Sequence, residues 1–167
     1  MPPAPTKSHA SRVNFASLTL NNLGTVRKLN SVLFPIKYSE KFYQDILLPE
    51  AEDFCKLVYY NDVPVGTICC RLEVKDGQTE LYLMTMGILA PYRHLGIGGK
   101  SLELILESAA SHTKPKISRI YLHVQVSNDG AKQFYQRHGF EEIGVAEHYY
   151  KKIVPSDAWI LQRTFAA

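Results

Sequence analysis

The sequence predicts an α/β fold: a mixed central sheet of about seven strands, antiparallel on its N-terminal side with a parallel pair in the middle, flanked by about four helices. Three observations carry this. Three consecutive strand-like runs, DFCKLVYY, VGTICCRLEV and ELYLMTMGIL, are separated by NDVP and KDGQ, and both separators hold turn residues suited to hairpins. After the third run the apolar spacing becomes helical, with Leu102, Ile105, Leu106 and Ala109 on one side. The strand-like run RIYLHVQV follows that helix, and a strand–helix–strand unit implies a parallel pair.

Taken in order, the opening MPPAPTKSHASR is rich in Pro and Ser with almost no large apolar residue, and reads as a flexible leader over residues 1–12. The remaining 155 or so positions, 13–167, form a single domain, since 167 residues fit one core and are too few for two average ones. VNFASLTL alternates as a half-buried strand, with Val13, Phe15, Leu18 and Leu20 as burial candidates. Leu23, Val26, Leu29 and Leu33 mark a helix that Asn22 is placed to cap and that ends by Phe34, because Pro35 restricts the residue before it. Ser39 caps a second helix burying Phe42, Tyr43, Ile46 and Leu47, which Pro49 interrupts. The link between these helices, FPIKY, is unusually apolar for a loop. Past the meander, a helix starts near Ile97, and another after SND carries Ala131, Phe134, Tyr135 and His138 on one side. Gly139 supplies a left-handed C-terminal cap, and two strands are expected around 141–147 and 158–165.

Composition excludes several function classes. Nineteen Lys and Arg against sixteen Asp and Glu leave +3, too small an excess to argue for nucleic-acid binding, and no dense basic stripe appears. No segment approaches 18 apolar residues, so no membrane association is expected, and the N-terminus lacks the apolar core of a signal peptide. A cytoplasmic location is the expectation, with the nucleus as an additional one. Cys55, Cys69 and Cys70 are odd in number and fall in apolar strand-like runs, which points to buried free thiols; no zinc spacing is present and no metal is expected.

The chemistry is concentrated in YRHLGIGGKSLELIL, residues 92–106, where three glycines open a helix although glycine costs about 1 kcal/mol relative to alanine inside one. The first N–H groups of a helix have no internal partner and the macrodipole adds partial positive charge, so Gly96, Gly98 and Gly99 would let a pyrophosphate approach without meeting a Cβ atom. Arg93-x-x-Gly96-x-Gly98, placed at a strand-to-helix junction, resembles the acetyl-CoA motif Q/R-x-x-G-x-G/A of the GNAT acetyltransferase superfamily. The strings LYLMTMGILAPYRHLGIGGK, IYLHVQVSND…FYQRHGF, FPIKY and HYYKKI extend the resemblance to its N-terminal protein acetyltransferases over about Val13 to Leu161. His94 departs from relatives that often carry a second arginine there.

The resemblance implies transfer of acetyl from acetyl-CoA to the α-amine of polypeptides that retain Met followed by an apolar residue such as Leu. It assigns acetyl-CoA to Met86, Gly87, Ile88, Arg93, His94, Leu95, Gly96, Ile97, Gly98 and Gly99, with Asn128 on the pantetheine arm and Tyr135 near the sulfur, where it would protonate the departing thiolate. Main-chain N–H groups near Met86 would bind the thioester oxygen. Phe34, Pro35, Ile36, Tyr38, Met84, Tyr149, Tyr150 and Ile153 match the peptide-binding walls. Strand alternation independently groups Tyr82, Met84 and Met86, and Tyr121, His123 and Gln125, so neighbouring strands present Tyr82 and His123 to one cleft. In the family these positions hold the base pair acting through ordered water; an ordinary pKa near 6.5 suits His123 as base, with Tyr82 positioning it. The expected partners are nascent polypeptide N-termini and, from the resemblance, the NatA complex at the ribosome. Two alternatives stay open: a GNAT acting on lysine side chains or small amines, and a weakly active CoA-binding subunit of a larger assembly.

Overall fold

A computed structural model describes residues 12–166; the predicted leader, apart from Arg12, lies outside the described residues. Among the described residues seven strands, β1 (Val13–Ser17), β2 (Cys55–Tyr60), β3 (Val63–Lys75), β4 (Gln78–Ile88), β5 (Ile117–Gln125), β6 (Glu141–Ala146) and β7 (Ala158–Thr164), form one sheet in the order β1-β2-β3-β4-β5-β7-β6. In that sheet β4 and β5 run parallel, and the other neighbouring pairs are antiparallel. The meander turns follow from their residues: Asn61 and Asp62, then Asp76 and Gly77, take φ values of 47°, 67°, 51° and 77°, the paired positive φ of tight hairpins. The insertion of β7 between β5 and β6 has no local signal in the sequence.

The helices are α1 (Leu23–Leu33), α2 (Glu40–Asp45), α3 (Ile97–Ser111) and α4 (Asp129–Arg137). On one face of the sheet α3 buries Leu102, Ile105, Leu106 and Ala109 against Ile68, Leu81, Leu83, Ile120 and Leu122, with Tyr135 of α4 in the same cluster. On the other face Val26 and Leu29 of α1 and Phe42 and Tyr43 of α2 pack with Leu57 and Cys69. Ser39 caps α2 as expected, its Oγ accepting from Phe42 N at 3.3 Å. Asn128 caps α4, its Oδ1 accepting from Ala131 N at 3.2 Å, and Gly139 stands at φ 87°. All three cysteines are free and buried.

Two expectations need correction. Asn22 precedes α1 but does not cap it with its side chain; Oδ1 instead accepts from Thr19 N at 2.8 Å and Nδ2 donates to Ser17 O at 3.0 Å. That turn ends β1 at Ser17 and leaves Leu20, an expected core residue, 82% exposed. Asn30 of α1, which the apolar spacing passed over, is buried and accepts from Thr67 Oγ1 at 2.9 Å, fastening the helix to β3.

The parallel pair positions the site. Its register runs Thr79–Ile117, Leu81–Ile120 and Tyr82–Tyr121 and then stops, although β4 continues to Ile88 and β5 to Gln125. Between Cys69/Thr85 and Cys70/Leu83 the β3–β4 register shifts, so Met84 is an extra residue on β4. A bulge bends its strand and disrupts the ladder, and here it coincides with the point where the two strands part.

Candidate active site

Where β4 and β5 separate, a cavity of about 780 Å³ opens with Tyr82, Met84 and His123 in its lining and Pro35, Ile36, Tyr38, Tyr149, Tyr150 and Ile153 around them. A second cavity of about 270 Å³ adjoins it, sharing Met84, His123 and Tyr150, and extends past Met86 to Leu122, Val124, Asn128 and Tyr135. Of the predicted peptide wall, Tyr149 lines the first chamber alone, Phe34 the second alone and the others both, whereas Met86, Asn128 and Tyr135 line only the second; His123 stands where the two meet.

Tyr82 Oη lies 2.9 Å from His123 Nδ1 and 2.6 Å from Tyr149 Oη. The imidazole stacks on the Tyr149 ring at 4.0 Å between centroids and 10° between planes, so three aromatic side chains from β4, β5 and the β6–β7 loop hold one another. That loop is itself tied down: His148 N donates to Asp157 Oδ1 at 2.9 Å and Tyr150 N to Ser156 O at 2.8 Å. Burial pushes the Tyr82 phenol up, reinforced by the hydrogen bond to Tyr149, so it stays protonated. Burial also lowers His123 from its ordinary 6.5, against an opposing pull from Glu73, so the imidazole is neutral at pH 7. In the tautomer whose Nδ1–H donates to Tyr82, with Tyr82 donating on to Tyr149, an arrangement that both distances allow, Nε2 keeps a lone pair able to take a proton, and protonating it leaves the chain of hydrogen bonds unchanged. Tyr135, in the second chamber, is likewise raised by burial and keeps its proton.

The other side of Tyr82 carries a network that sequence reasoning missed. Its ring packs 4.7 Å from Tyr121, and the Arg71 guanidinium lies 5.0 Å over it. Tyr121 Oη donates to Glu73, which pairs with Arg71 at 2.8 Å, while Arg119 covers Tyr121 at 4.5 Å and pairs with Glu80 at 3.1 Å. Tyr121 falls in the same alternation as His123, so that register held the available signal; the charged partners had none.

Met86 does not share the face of Tyr82 and Met84. The extra residue at Met84 reverses the alternation, and Met86 packs with Leu83 and Ile88 against the α3 cluster, whereas Met84 packs on the α1–α2 side. Met86 still lines the second chamber. Phe34 belongs to that chamber too, and a Cβ on Gly87 would stand 2.9 Å from its ring, so Gly87 is the space into which the peptide-loop phenylalanine fits.

The glycine motif forms the predicted junction. Gly96 precedes α3 with φ 78°, a left-handed conformation that favours glycine regardless of any ligand. At Gly98 an added Cβ would come no nearer than 3.8 Å to Phe134, so the fold itself has room there and the glycine serves approach to the helix terminus. Arg93 Nε donates to Ile88 O at 2.9 Å, which closes the loop between β4 and α3; His94, Leu95 and Gly96 are exposed around the open helix end, whose first turn carries no acidic residue. The unpaired stretch of β4, the second chamber and this helix terminus make a continuous set of features suited to an extended thioester with a pyrophosphate.

Comparison with known proteins finds relatives in both sequence and fold. The model of the acetyltransferase (GNAT) family matches residues 23–140. The chain is 45% identical to the Drosophila melanogaster protein named "Probable N-acetyltransferase san" over 92% of its length and 82% of that protein's. It is 44% identical to N-alpha-acetyltransferase 50 of Danio rerio, over 92% of this chain and 89% of the relative. Among solved structures, Arabidopsis thaliana Naa50 in complex with the bisubstrate analogue CoA-Ac-MVNAL superposes with a TM-score of 0.83 at 42% identity, covering 92% of this chain and 99% of that one.

Proposed function

Because the chain belongs to the acetyltransferase (GNAT) family, we propose that it is an N-terminal protein acetyltransferase, moving acetyl from acetyl-CoA to the α-amine of polypeptides that retain methionine followed by an apolar residue. The observation that carries this is the 2.9 Å contact of Tyr82 with His123 at the meeting of a peptide-sized chamber and a narrower one. Acetyl-CoA supplies an activated acyl carbon and a thiolate leaving group.

The chain's own residues do the rest. A free α-amine has a pKa of about 7.7–8.0, so a usable fraction is neutral at pH 7 and the base has a modest task. Neutral His123 takes the amine proton at Nε2, directly or through one water, as bond formation makes the nitrogen acidic. Tyr82 and Tyr149 fix the ring and its tautomer. Tyr135 Oη, kept protonated by burial, is suited to meet the departing sulfur. Ile36, Tyr149 and Ile153 bury the first two side chains, and each large apolar side chain fully buried contributes roughly 1.5–3 kcal/mol, enough to favour Met-Leu over a small or charged start. Tyr38, whose phenol is pushed up to about 12 mainly by burial, enters that wall uncharged.

Association with the NatA complex at the ribosome and work in the cytoplasm belong to the same reading, resting on the likeness to N-alpha-acetyltransferase 50; co-purification with ribosomes and with NatA subunits tests them. The activity is tested by acetyl transfer from labelled acetyl-CoA to peptides differing only in their first two residues. Catalytic efficiency for Met-Leu should exceed that for Met-Asp and Ser-Glu by more than tenfold, the equivalent of about 1.4 kcal/mol; equal efficiency removes the apolar-wall assignment.

A further inference from the structure

We propose that the mouth of the peptide chamber is a basic subsite that selects polypeptides carrying aspartate or glutamate at the third to fifth residues. This rests on the N-terminal acetyltransferase reading and extends its substrate class. Three lysines from two separate loops reach the chamber: Lys37, from the link between α1 and α2, and Lys151 and Lys152, from the β6–β7 loop. No carboxylate is in the lining.

All three ammonium groups sit on exposed residues, and none has a hydrogen bond or ion pair among the described residues. Their situation differs from that of other cations nearby. Arg27 is paired with Glu40, Lys41 with Asp45 and Arg71 with Glu73, so those three carboxylates are already engaged. Three uncompensated like charges around one opening repel each other and raise the local potential, which a polypeptide with acidic side chains relieves.

The floor of the chamber fixes which substrate residues meet them. The α-amine must lie at His123, and the apolar wall takes the first two side chains. An extended chain advances about 3.3–3.6 Å per residue, so the third to fifth residues leave through the mouth beside the lysines. Contacts there are solvent-exposed, so they act mainly on KM, weaken with salt, and leave the chemical step unaltered.

The test compares acetylation of Met-Leu peptides with Glu-Glu, Gln-Gln or Lys-Lys at positions three and four. At low salt the KM for the Glu peptide should be about threefold to tenfold below that for the Gln peptide, with the Lys peptide above both, and the ratio should move toward one at high salt. The kcat and the KM for acetyl-CoA should be common to all three. The combined variant Lys37→Gln, Lys151→Gln, Lys152→Gln should abolish the Glu preference while acetylating the Gln peptide as the unmodified enzyme does. Equal KM for Glu and Gln peptides at low salt, or a preference that survives in the triple variant, overturns the subsite. Failure to acetylate the Gln peptide at all would instead overturn the N-terminal acetyltransferase reading, and the subsite with it.

Discussion

Replacing Tyr82 by phenylalanine removes one oxygen from the point where β4, β5 and the β6–β7 loop meet. That oxygen makes two contacts, 2.9 Å to His123 Nδ1 and 2.6 Å to Tyr149 Oη. A net hydrogen bond is worth about 0.5–1.5 kcal/mol, so the pair amounts to about 1–3 kcal/mol. Felt in the transition state, that is roughly a fivefold to 150-fold loss in kcat. His123→Ala, which removes the base itself, should cost about 10²–10⁴-fold. The phenylalanine ring keeps the packing on Tyr121 and beneath Arg71 that the tyrosine ring has, so the fold should persist, with the melting temperature lowered by about 2–12 °C for the 1–3 kcal/mol lost with the two bonds. Since Tyr82 acts through His123, the double variant should be no slower than His123→Ala alone. Steady-state transfer to a Met-Leu peptide with saturating acetyl-CoA measures all three. Unchanged kcat in Tyr82→Phe, or losses that multiply in the double variant, would show that the hydroxyl does not work through the imidazole.

Other expectations follow from single distances and charges. Gly87→Ala places a Cβ 2.9 Å from the Phe34 ring; overpacking of this kind costs about 1–3 kcal/mol, and peptide KM should rise more than acetyl-CoA KM, whereas an unchanged peptide KM would detach Phe34 from the wall. Gly98→Val, at a position with room in the fold, should weaken acetyl-CoA binding by about tenfold or more, measured by calorimetry; full affinity in a folded variant would remove the helix terminus from the cofactor site. His123 accepts a proton only when neutral, and burial lowers its pKa, so kcat should hold at pH 7 and fall only as pH drops through a value below about 6.5. Glu73 opposes that lowering, so Glu73→Gln should move the acidic limb to lower pH, and a limb that stays in place would exclude this influence.

The fold was legible wherever the information was local. Paired turn residues set the hairpins at 61–62 and 76–77, helical spacing set α3, and Ser39 and Gly139 marked their helix ends. Asn22 misled because an Asn side chain serves a turn behind it as readily as a helix ahead. The placement of β7 between β5 and β6, and the bulge that turns Met86 to the α3 face, depend on partners distant in sequence, and strict alternation cannot register an extra residue. Tyr82 and His123 were grouped correctly because each sits on the unbroken part of its strand. The Glu73, Arg71, Arg119 and Glu80 network was illegible because charged residues on strands read as solvent-facing until a neighbouring strand covers them.

The position of the transferred acetyl group tests the central claim most directly. A peptide beginning Met-Leu and carrying one internal lysine, incubated with the enzyme and acetyl-CoA and sequenced by fragmentation mass spectrometry, offers an α-amine of pKa about 7.7–8.0 against an ε-amine of about 10.4. The chamber, the neutral His123 and the tyrosines holding it predict acetyl on the α-amine, with transfer lost when that amine is blocked. Acetyl on the lysine of the α-blocked peptide at a comparable rate would contradict the account.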